Sequence, residues 1–146
     1  MNRTIIIEAF GGPENMQMVD WPVAAPTADN ALIRHHYSGL NFTDIYRRTG
    51  LYKVPLPSPL GTEGAGVVEA VGDHVKHIAV GDRVVYASNS AGSYSDVRVM
   101  PAAQICKLPA QIDFETAAAI MLKGLTVNYL FSRTTPIGKG ATVLFH

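Results

Sequence analysis

The chain has 146 residues, the length of a single domain, of which 47% are hydrophobic and 16% are charged. This composition excludes a disordered, collagen-like or disulfide-rich protein. Twelve Lys and Arg residues balance twelve Asp and Glu residues, so the net charge predicts no overall attraction to nucleic acid or to an anionic membrane.

Signals for membranes, secretion and disulfides are missing from the sequence. No stretch approaches the ~20 apolar residues that a membrane-spanning helix needs, and the apolar run 5–7 is too short for a signal peptide. We therefore expect a cytoplasmic protein without a membrane anchor. The single cysteine, Cys106, cannot form an intramolecular disulfide, and its position beside Ile105 predicts a buried, unreactive thiol.

Short β-favouring runs, interrupted by Gly and Pro, dominate the first 110 residues. Turn-forming Gly, Asp and Pro residues separate the runs. The predicted strands cover residues 4–10, 16–19, 31–37, 66–71, 83–86, 94–100 and 104–107. The pattern predicts a compact β-barrel or sandwich, and the chain as a whole is expected to be mostly β with some helix, an α+β fold.

One short helix is predicted inside this β region. Asn41 or Thr43 is expected to cap a helix that runs through residues 44–48, and Gly50 is expected to end it. The following segment 54–59 contains three prolines and is predicted to be an extended loop.

The pattern changes to helix after residue 110. Asp113 is expected to cap a helix that ends at Gly124, and a second helix is expected from residue 125 to about residue 133. The apolar run 141–145 is typical of the first strand of a buried parallel sheet. Because the sequence offers that strand no parallel partner, the chain is predicted to be part of a larger protein.

Neither a metal site nor a phosphate-binding loop is predicted. His35 and His36 are adjacent on a strand and point to opposite faces, while His74 and His77 have no acidic or Cys companion at ligand spacing. The glycine-rich segment 61–66 has the spacing G-x-x-G-x-G and enters a strand, so it does not match the dinucleotide-binding fingerprint. A close approach of backbones within the barrel is its expected role.

Polar side chains crowd the region between residues 41 and 52. Tyr46, Tyr52 and the amide of Asn41 can donate hydrogen bonds to a carbonyl or quinone oxygen. Tyrosines beside a turn are also common as packing at the rim of a barrel, and Asp44 suits the stabilisation of a helix N-terminus equally well. The residues alone leave both interpretations open.

The order of motifs resembles the quinone oxidoreductase, or zeta-crystallin-like, branch of the medium-chain dehydrogenase/reductase superfamily. It is most similar to the N-terminal half of bacterial NADPH:quinone reductases. The resemblance covers essentially the whole chain and depends on residues 11–14, 39–46, 48–52, 61–66, 81–84 and 123–127. It implies a GroES-like, partly open β-barrel catalytic domain over residues 1–124, followed by the first helix and strand of a Rossmann cofactor domain over residues 125–146.

The resemblance also implies a site without zinc. Zinc-dependent relatives carry a Cys where Asn41 stands, a His where Thr62 stands and a second Cys near Leu122, and this chain has none of the three ligands.

The cofactor that the resemblance implies is NADPH, with its main pyrophosphate site expected beyond residue 146. Tyr46, Tyr52 and Asn41 are the implied catalytic residues. The implied cofactor-binding residues are Asn41, Phe42, Thr43, Asp44, Ile45, Tyr46, Thr126 and Tyr129.

The resemblance implies the catalytic part of an NADPH-dependent quinone oxidoreductase that transfers hydride to quinones or conjugated carbonyls without zinc. The 146 residues alone are expected to be inactive, the full-length form is expected to be a homodimer, and binding to membranes or nucleic acid is not expected. Two alternatives stay open. One is a stand-alone GroES-like binding module without catalysis, and the other is an enoyl or alkenal reductase of the same superfamily.

Overall fold

Two antiparallel sheets form the body of the chain in the computed structural model, which describes residues 1–144. The strands are β1 (Arg3–Ile7), β2 (Met16–Asp20), β3 (Asn30–Gly39), β4 (Ser58–Pro59), β5 (Glu63–Val71), β6 (Arg83–Ala87), β7 (Val97–Pro101) and β8 (Ile105–Lys107). The smaller sheet has the order β2-β1-β4, and the larger has the order β7-β3-β5-β6-β8. An isolated bridge pairs Thr4 of β1 with Ser95, two residues before β7 begins. The result is a partly open barrel rather than a closed one, as the family resemblance implies.

Alternation of apolar and polar residues decides which face of the large sheet is buried. In β3, Ala31 and Ile33 are fully buried, whereas the next residue, Arg34, is exposed. Successive side chains of a strand point to opposite faces of the sheet. The principal core combines such inward residues from several strands: Ala31, Ile33, Val68, Ile78, Val84, Tyr86, Met100, Ala102 and Ile105.

Two α-helices are attached to this sheet body. Helix α1 (Phe42–Thr49) follows β3 directly, and Gly50 ends it in the left-handed conformation, with φ of 81°, that glycine adopts without strain. Helix α2 (Phe114–Tyr129) begins at Asp113, whose side chain accepts a hydrogen bond of 2.6 Å from the backbone N–H of Thr116. The predicted caps at both helix starts, Asn41 and Asp113, are confirmed.

Helix α2 packs on the large sheet through a second apolar cluster. Ala117 and Ala118 of α2 contact Ala65, Val85 and Leu108. Small side chains on both surfaces let the helix lie close to the sheet, and this places the later turns of α2 beside the end of β3.

The prediction of two separate helices divided at Gly124 is wrong. Helix α2 continues through Gly124 to Tyr129, and a π-helical segment extends it over Leu130–Thr134. A glycine in a helix interior costs only about 1 kcal/mol relative to alanine, which the surrounding helical hydrogen bonds offset. The strand predicted at 141–145 is not formed at residues 141–144, where no neighbouring strand among the described residues offers backbone partners; Phe145 lies outside the described residues.

Three smaller predictions also need correction. Cys106 is exposed, because Ile105 takes the inward position on β8 and the next side chain must point outward. The proline-rich loop contains strand β4, which pairs with β1 through Ser58 and Pro59. The strand predicted at 94–100 begins at Val97.

Within residues 1–144, no helix has both the length and the apolar character needed to cross a bilayer.

Candidate functional site

A fully buried carboxylate, that of Glu63, lies where β3, β5, α1 and α2 meet. The Oε1 atom of Glu63 accepts hydrogen bonds from Asn41 Nδ2 at 2.8 Å and from Lys123 Nζ at 2.5 Å. The Oε2 atom accepts from the backbone N–H of Leu122 at 2.6 Å. A charge removed from water is costly unless it is paired and hydrogen-bonded, and these three donors meet that requirement.

We call this group the Glu63 network; its members are Asn41, Thr62, Glu63, Leu122 and Lys123. The Asn41 amide also approaches Thr62 Oγ1, at 3.5 Å. Lys123 Nζ donates a further hydrogen bond to the carbonyl oxygen of Leu40 at 3.1 Å. The network therefore links the start of α1 to the middle of α2 through a strand residue that is sealed from solvent.

The close packing around Glu63 requires glycine at position 39. Gly39 pairs with Glu63 across β3 and β5. A Cβ atom at position 39 would lie 2.2 Å from the carbonyl oxygen of Ala118 and 2.3 Å from Glu63 Oε1, both far inside contact distance. The absence of a side chain at Gly39 thus allows α2 and the Glu63 carboxylate to reach the end of β3.

Asp44 forms a second buried acidic centre in the first turn of α1. Its Oδ2 atom accepts from the backbone N–H of Asn41 at 3.0 Å and from the Tyr94 hydroxyl at 2.8 Å, and its Oδ1 atom lies 3.4 Å from Thr62 Oγ1. Burial, followed by the hydrogen bond to Asp44, raises the pKa of the Tyr94 hydroxyl well above its usual value. These internal contacts fit the stabilisation of the helix start, one of the two roles open to Asp44 from the sequence.

An aromatic surface extends from the network along α1. The rings of Tyr46 and Tyr52 meet edge to face with centroids 5.4 Å apart, and the Phe42 ring lies 6.3 Å from that of Tyr46. The backbone N–H of Tyr52 donates to the carbonyl oxygen of Tyr46 at 3.0 Å, which fixes the loop after α1 against the helix. Phe42 and Tyr52 are 73% and 50% exposed, so this apolar surface with its hydroxyl groups is open to a ligand.

The later turns of α2 extend the site on its other side. Leu122, Thr126 and Tyr129 follow the spacing i, i+4, i+7 and so share one face of the helix. The Thr126 hydroxyl donates to the Leu122 carbonyl oxygen at 2.8 Å, and Tyr129 is exposed. Among residues 1–144, no hydrogen bond joins Thr126 or Tyr129 to α1; the Glu63 network connects the two helices.

Sequence reasoning missed Glu63 and Lys123. Both residues lie inside segments that carry the family resemblance, 61–66 and 123–127, where no local pattern marks them as a charged pair. A usable signal was present for Glu63: an acidic residue stands inside a stretch of Gly, Ala, Thr and Val where a solvent-facing position is improbable. A buried acid of this kind requires a donor or a cation elsewhere in the chain.

One side-chain hydroxyl of α1 bears on whether a cofactor can bind beside this helix. The Thr43 hydroxyl oxygen is buried and has no hydrogen-bond partner among the described residues. Buried polar atoms normally have a partner, so this atom fits contact with a bound group beside α1. Metal ligation has less support, since residues 1–144 contain no group of three or more His, Cys, Asp and Glu side chains placed to hold an ion.

Comparison with known proteins identifies the family. The model of the alcohol dehydrogenase GroES-like domain matches residues 27–110, more than half of the chain. The chain belongs to the alcohol dehydrogenase GroES-like domain family.

Two curated proteins and one crystal structure show which members of the family this chain resembles. A quinone oxidoreductase of Pseudomonas aeruginosa is 48% identical over all of this chain and 45% of its own length. The crystal structure of Escherichia coli quinone oxidoreductase complexed with NADPH has a TM-score of 0.90 and 48% identity, covering 92% of this chain and 42% of that one. A 2-haloacrylate reductase of a Burkholderia species is 36% identical over all of this chain and 46% of its own length.

These findings confirm the resemblance to the quinone oxidoreductase branch of the medium-chain dehydrogenase/reductase superfamily. They also define its extent: the chain spans a little under half the length of the relatives it matches, over their N-terminal part.

Proposed function

We propose that this chain is the catalytic-domain part of an NADPH-dependent quinone oxidoreductase. The observation that carries the proposal is the 48% identity to the Pseudomonas aeruginosa quinone oxidoreductase over the whole of this chain. The tyrosine pair, with Tyr46 half-buried and Tyr52 exposed, supports it, because a quinone is flat, apolar and bears oxygens that accept hydrogen bonds.

Each group of residues has a role in this proposal. Bound NADPH supplies the hydride. Residues 41–46 of α1, together with Thr126 and Tyr129, hold the nicotinamide half, and the Thr43 hydroxyl has an unused bond to offer there. Tyr46 and Tyr52 donate hydrogen bonds to the acceptor oxygen as negative charge grows on it. The aromatic surface around them excludes water and aligns the acceptor ring.

The proposal also includes a reaction without zinc and a division of the chain into two parts, a catalytic domain and the start of a cofactor domain. Asn41, Thr62 and Leu122 offer no thiolate or imidazole, and the Asn41 amide is already bound to Glu63. Residues 1–124 form the catalytic domain, and residues 125–146 begin the cofactor domain. A homodimeric full-length form and a cytoplasmic location remain predictions from the sequence.

Replacement of both site tyrosines tests this assignment. In the full-length protein, Tyr46→Phe combined with Tyr52→Phe removes two hydroxyl donors and keeps both rings, so the rate of NADPH oxidation with 1,4-benzoquinone should fall at least tenfold, about 1.4 kcal/mol of transition-state stabilisation. Tyr37→Phe is the matched control, since Tyr37 is an exposed tyrosine of β3 outside the site. An unchanged rate in the double variant would remove the hydroxyls from the mechanism.

A second candidate reaction is reduction of a carbon–carbon double bond conjugated to a carbonyl group. The relative that favours it is the 2-haloacrylate reductase, at 36% identity over all of this chain. Values of kcat/KM for 1,4-benzoquinone and 2-chloroacrylate, measured with NADPH on the same preparation, distinguish the two reactions. A binding module without catalysis would bind NADPH and oxidise it with neither acceptor.

A further inference from the structure

The ammonium group of Lys123 is held in place from two sides. Its Nζ donates to Glu63 Oε1 at 2.5 Å and to the Leu40 carbonyl oxygen at 3.1 Å. An ammonium has three N–H donors, so these two bonds leave one donor free. The Lys123 side chain is 50% exposed while that of Glu63 is 0% exposed, and the ion pair therefore presents its positive end to the surface and keeps its negative end inside.

The negative charge of Glu63 is shared among several donors. Besides Lys123, its carboxylate binds the Asn41 amide and the Leu122 backbone N–H. Two neutral N–H donors thus stabilise part of the carboxylate's negative charge. The Lys123 ammonium can therefore still attract a negatively charged group that approaches from solvent. A preorganised charge of this kind stabilises developing charge without the cost of reorienting water.

Lys123 also lies beside Asn41, one of the residues that the proposed function assigns to the site. Lys123 Nζ and Asn41 Nδ2 bind the same oxygen atom of Glu63, so both lie within 3 Å of it. Asn41 begins α1, the helix that carries Tyr46 and leads to Tyr52. Within the Glu63 network, Lys123 is the one positive charge.

We propose that Lys123 is a further catalytic residue, whose ammonium stabilises the negative charge on the acceptor oxygen, and that Glu63 is the residue that positions it. This inference rests on the proposed quinone reduction. The quinone accepts a hydride with its electron pair and becomes the hydroquinone monoanion, while the nicotinamide is oxidised as its C4–H bond breaks. Solvent then supplies the proton that completes the hydroquinone.

Binding of a stable anion tests the proposal without turnover. The probe is 2-hydroxy-1,4-naphthoquinone, which is an anion at pH 7, and the full-length protein is saturated with NADP⁺ so that no reduction occurs. In Lys123→Met the Kd for this anion should rise at least tenfold, whereas the Kd for neutral 1,4-naphthoquinone should change less than threefold. With NADPH, kcat for 1,4-benzoquinone should also fall at least tenfold.

The matched control is Lys76→Met. Lys76 Nζ binds a backbone carbonyl, that of Asp73, so this variant loses one lysine charge and one similar bond in a loop outside the site. It should retain the anion affinity and the rate of the parent protein. If Lys123→Met behaves as Lys76→Met does, the proposal is overturned.

Two more variants separate catalysis from folding. Lys123→Met alone leaves the Glu63 carboxylate buried without its cation, which can destabilise the protein. Lys123→Met combined with Glu63→Gln removes both charges, and it should fold and still lose the preference for the anion; retained preference would overturn the proposal. Lys123→Arg keeps a cation and should recover most of the anion affinity. If the parent protein reduces no quinone, the proposed function fails instead, and the two failures are thereby distinct.

Discussion

His35 shows how burial of a single side chain sets a dependence on pH. Its Nδ1 lies 2.7 Å from the Ser95 carbonyl oxygen, which can only accept, so Nδ1 carries the proton. Its Nε2 then accepts from the Tyr86 hydroxyl at 2.7 Å, and that hydroxyl accepts in turn from Arg98 Nη1 at 3.3 Å. Burial lowers the pKa of His35 from 6.5 to about 4, the bond to Ser95 opposes the shift, and the Arg98 charge adds to it.

The folded protein should therefore lose stability in acid through His35. Because the folded-state pKa lies below the unfolded one, the unfolded chain takes up the proton first as the pH falls from 6.5 towards 4. The free energy of unfolding should drop by about 2 kcal/mol between pH 7 and pH 5 from this group alone.

Urea unfolding of the full-length protein at both pH values measures this loss. His35→Gln should remove the contribution, while His74→Gln should keep it, since His74 is an exposed histidine paired with Asp29. Equal acid sensitivity in His35→Gln and in the parent protein would contradict the assignment.

The residues that could be predicted from the sequence differ in kind from those that could not. Asn41, Tyr46 and Tyr52 lie close together in the sequence, within segments that carry the family resemblance, and their roles in the site stay predictions. Glu63 and Lys123 are 60 positions apart and meet only when α2 packs on the sheet. Their roles depend on that tertiary contact, which no local pattern reports.

At the scale of elements, the approach of α2 to β3 decides the geometry of the site. Gly39 and the alanines of α2 remove the side chains that would hold the helix away. The hydrogen bond from Leu122 to Glu63 then fixes the turn of α2 that carries Lys123 and leads to Thr126. A small displacement of α2 should therefore disturb all three residues together.

A single methyl group tests this dependence. Gly39→Ala places a Cβ atom 2.2 Å from the Ala118 carbonyl oxygen, so α2 or β3 must shift, at a cost of about 1–3 kcal/mol in the free energy of unfolding. Quinone reductase activity should fall with it. Gly138→Ala is the control, because no atom lies within 4 Å of the corresponding Cβ position.

Thermal or urea unfolding of the two variants measures the difference in their free energies of unfolding. Equal stability of Gly39→Ala and Gly138→Ala would mean that the close approach of α2 is not required for the fold.

Elements with a strong local period could be predicted well, and those that depend on a partner could not. Seven of the strands follow from alternation and turn residues, and both α-helix starts follow from their caps. Strand β4 was missed because two residues carry no period, and it exists through its pairing with β1. The predicted helix end at Gly124 is wrong, because a glycine that is not followed by turn-forming residues does not by itself end a helix.

At the scale of the whole molecule, the site is built along one side of the sheet body. Helix α1, the loop to Tyr52 and the second half of α2 supply the exposed aromatic surface, the polar network and the helix face. The chain spans a little under half of each relative it matches, and the exposed apolar residues of α2, Ile120, Leu125 and Val127, fit a contact with further protein. The proposed activity is therefore to be measured on the full-length protein.

Hydride transfer from NADPH to a quinone, the proposed reaction, can be tested by the stoichiometry of NADPH oxidation. Purified full-length protein is mixed without oxygen with NADPH and 1,4-benzoquinone, and loss of NADPH absorbance is followed together with formation of hydroquinone. The proposed function predicts enzyme-dependent oxidation with one hydroquinone formed for each NADPH consumed. Binding of NADPH without quinone-dependent oxidation would contradict it.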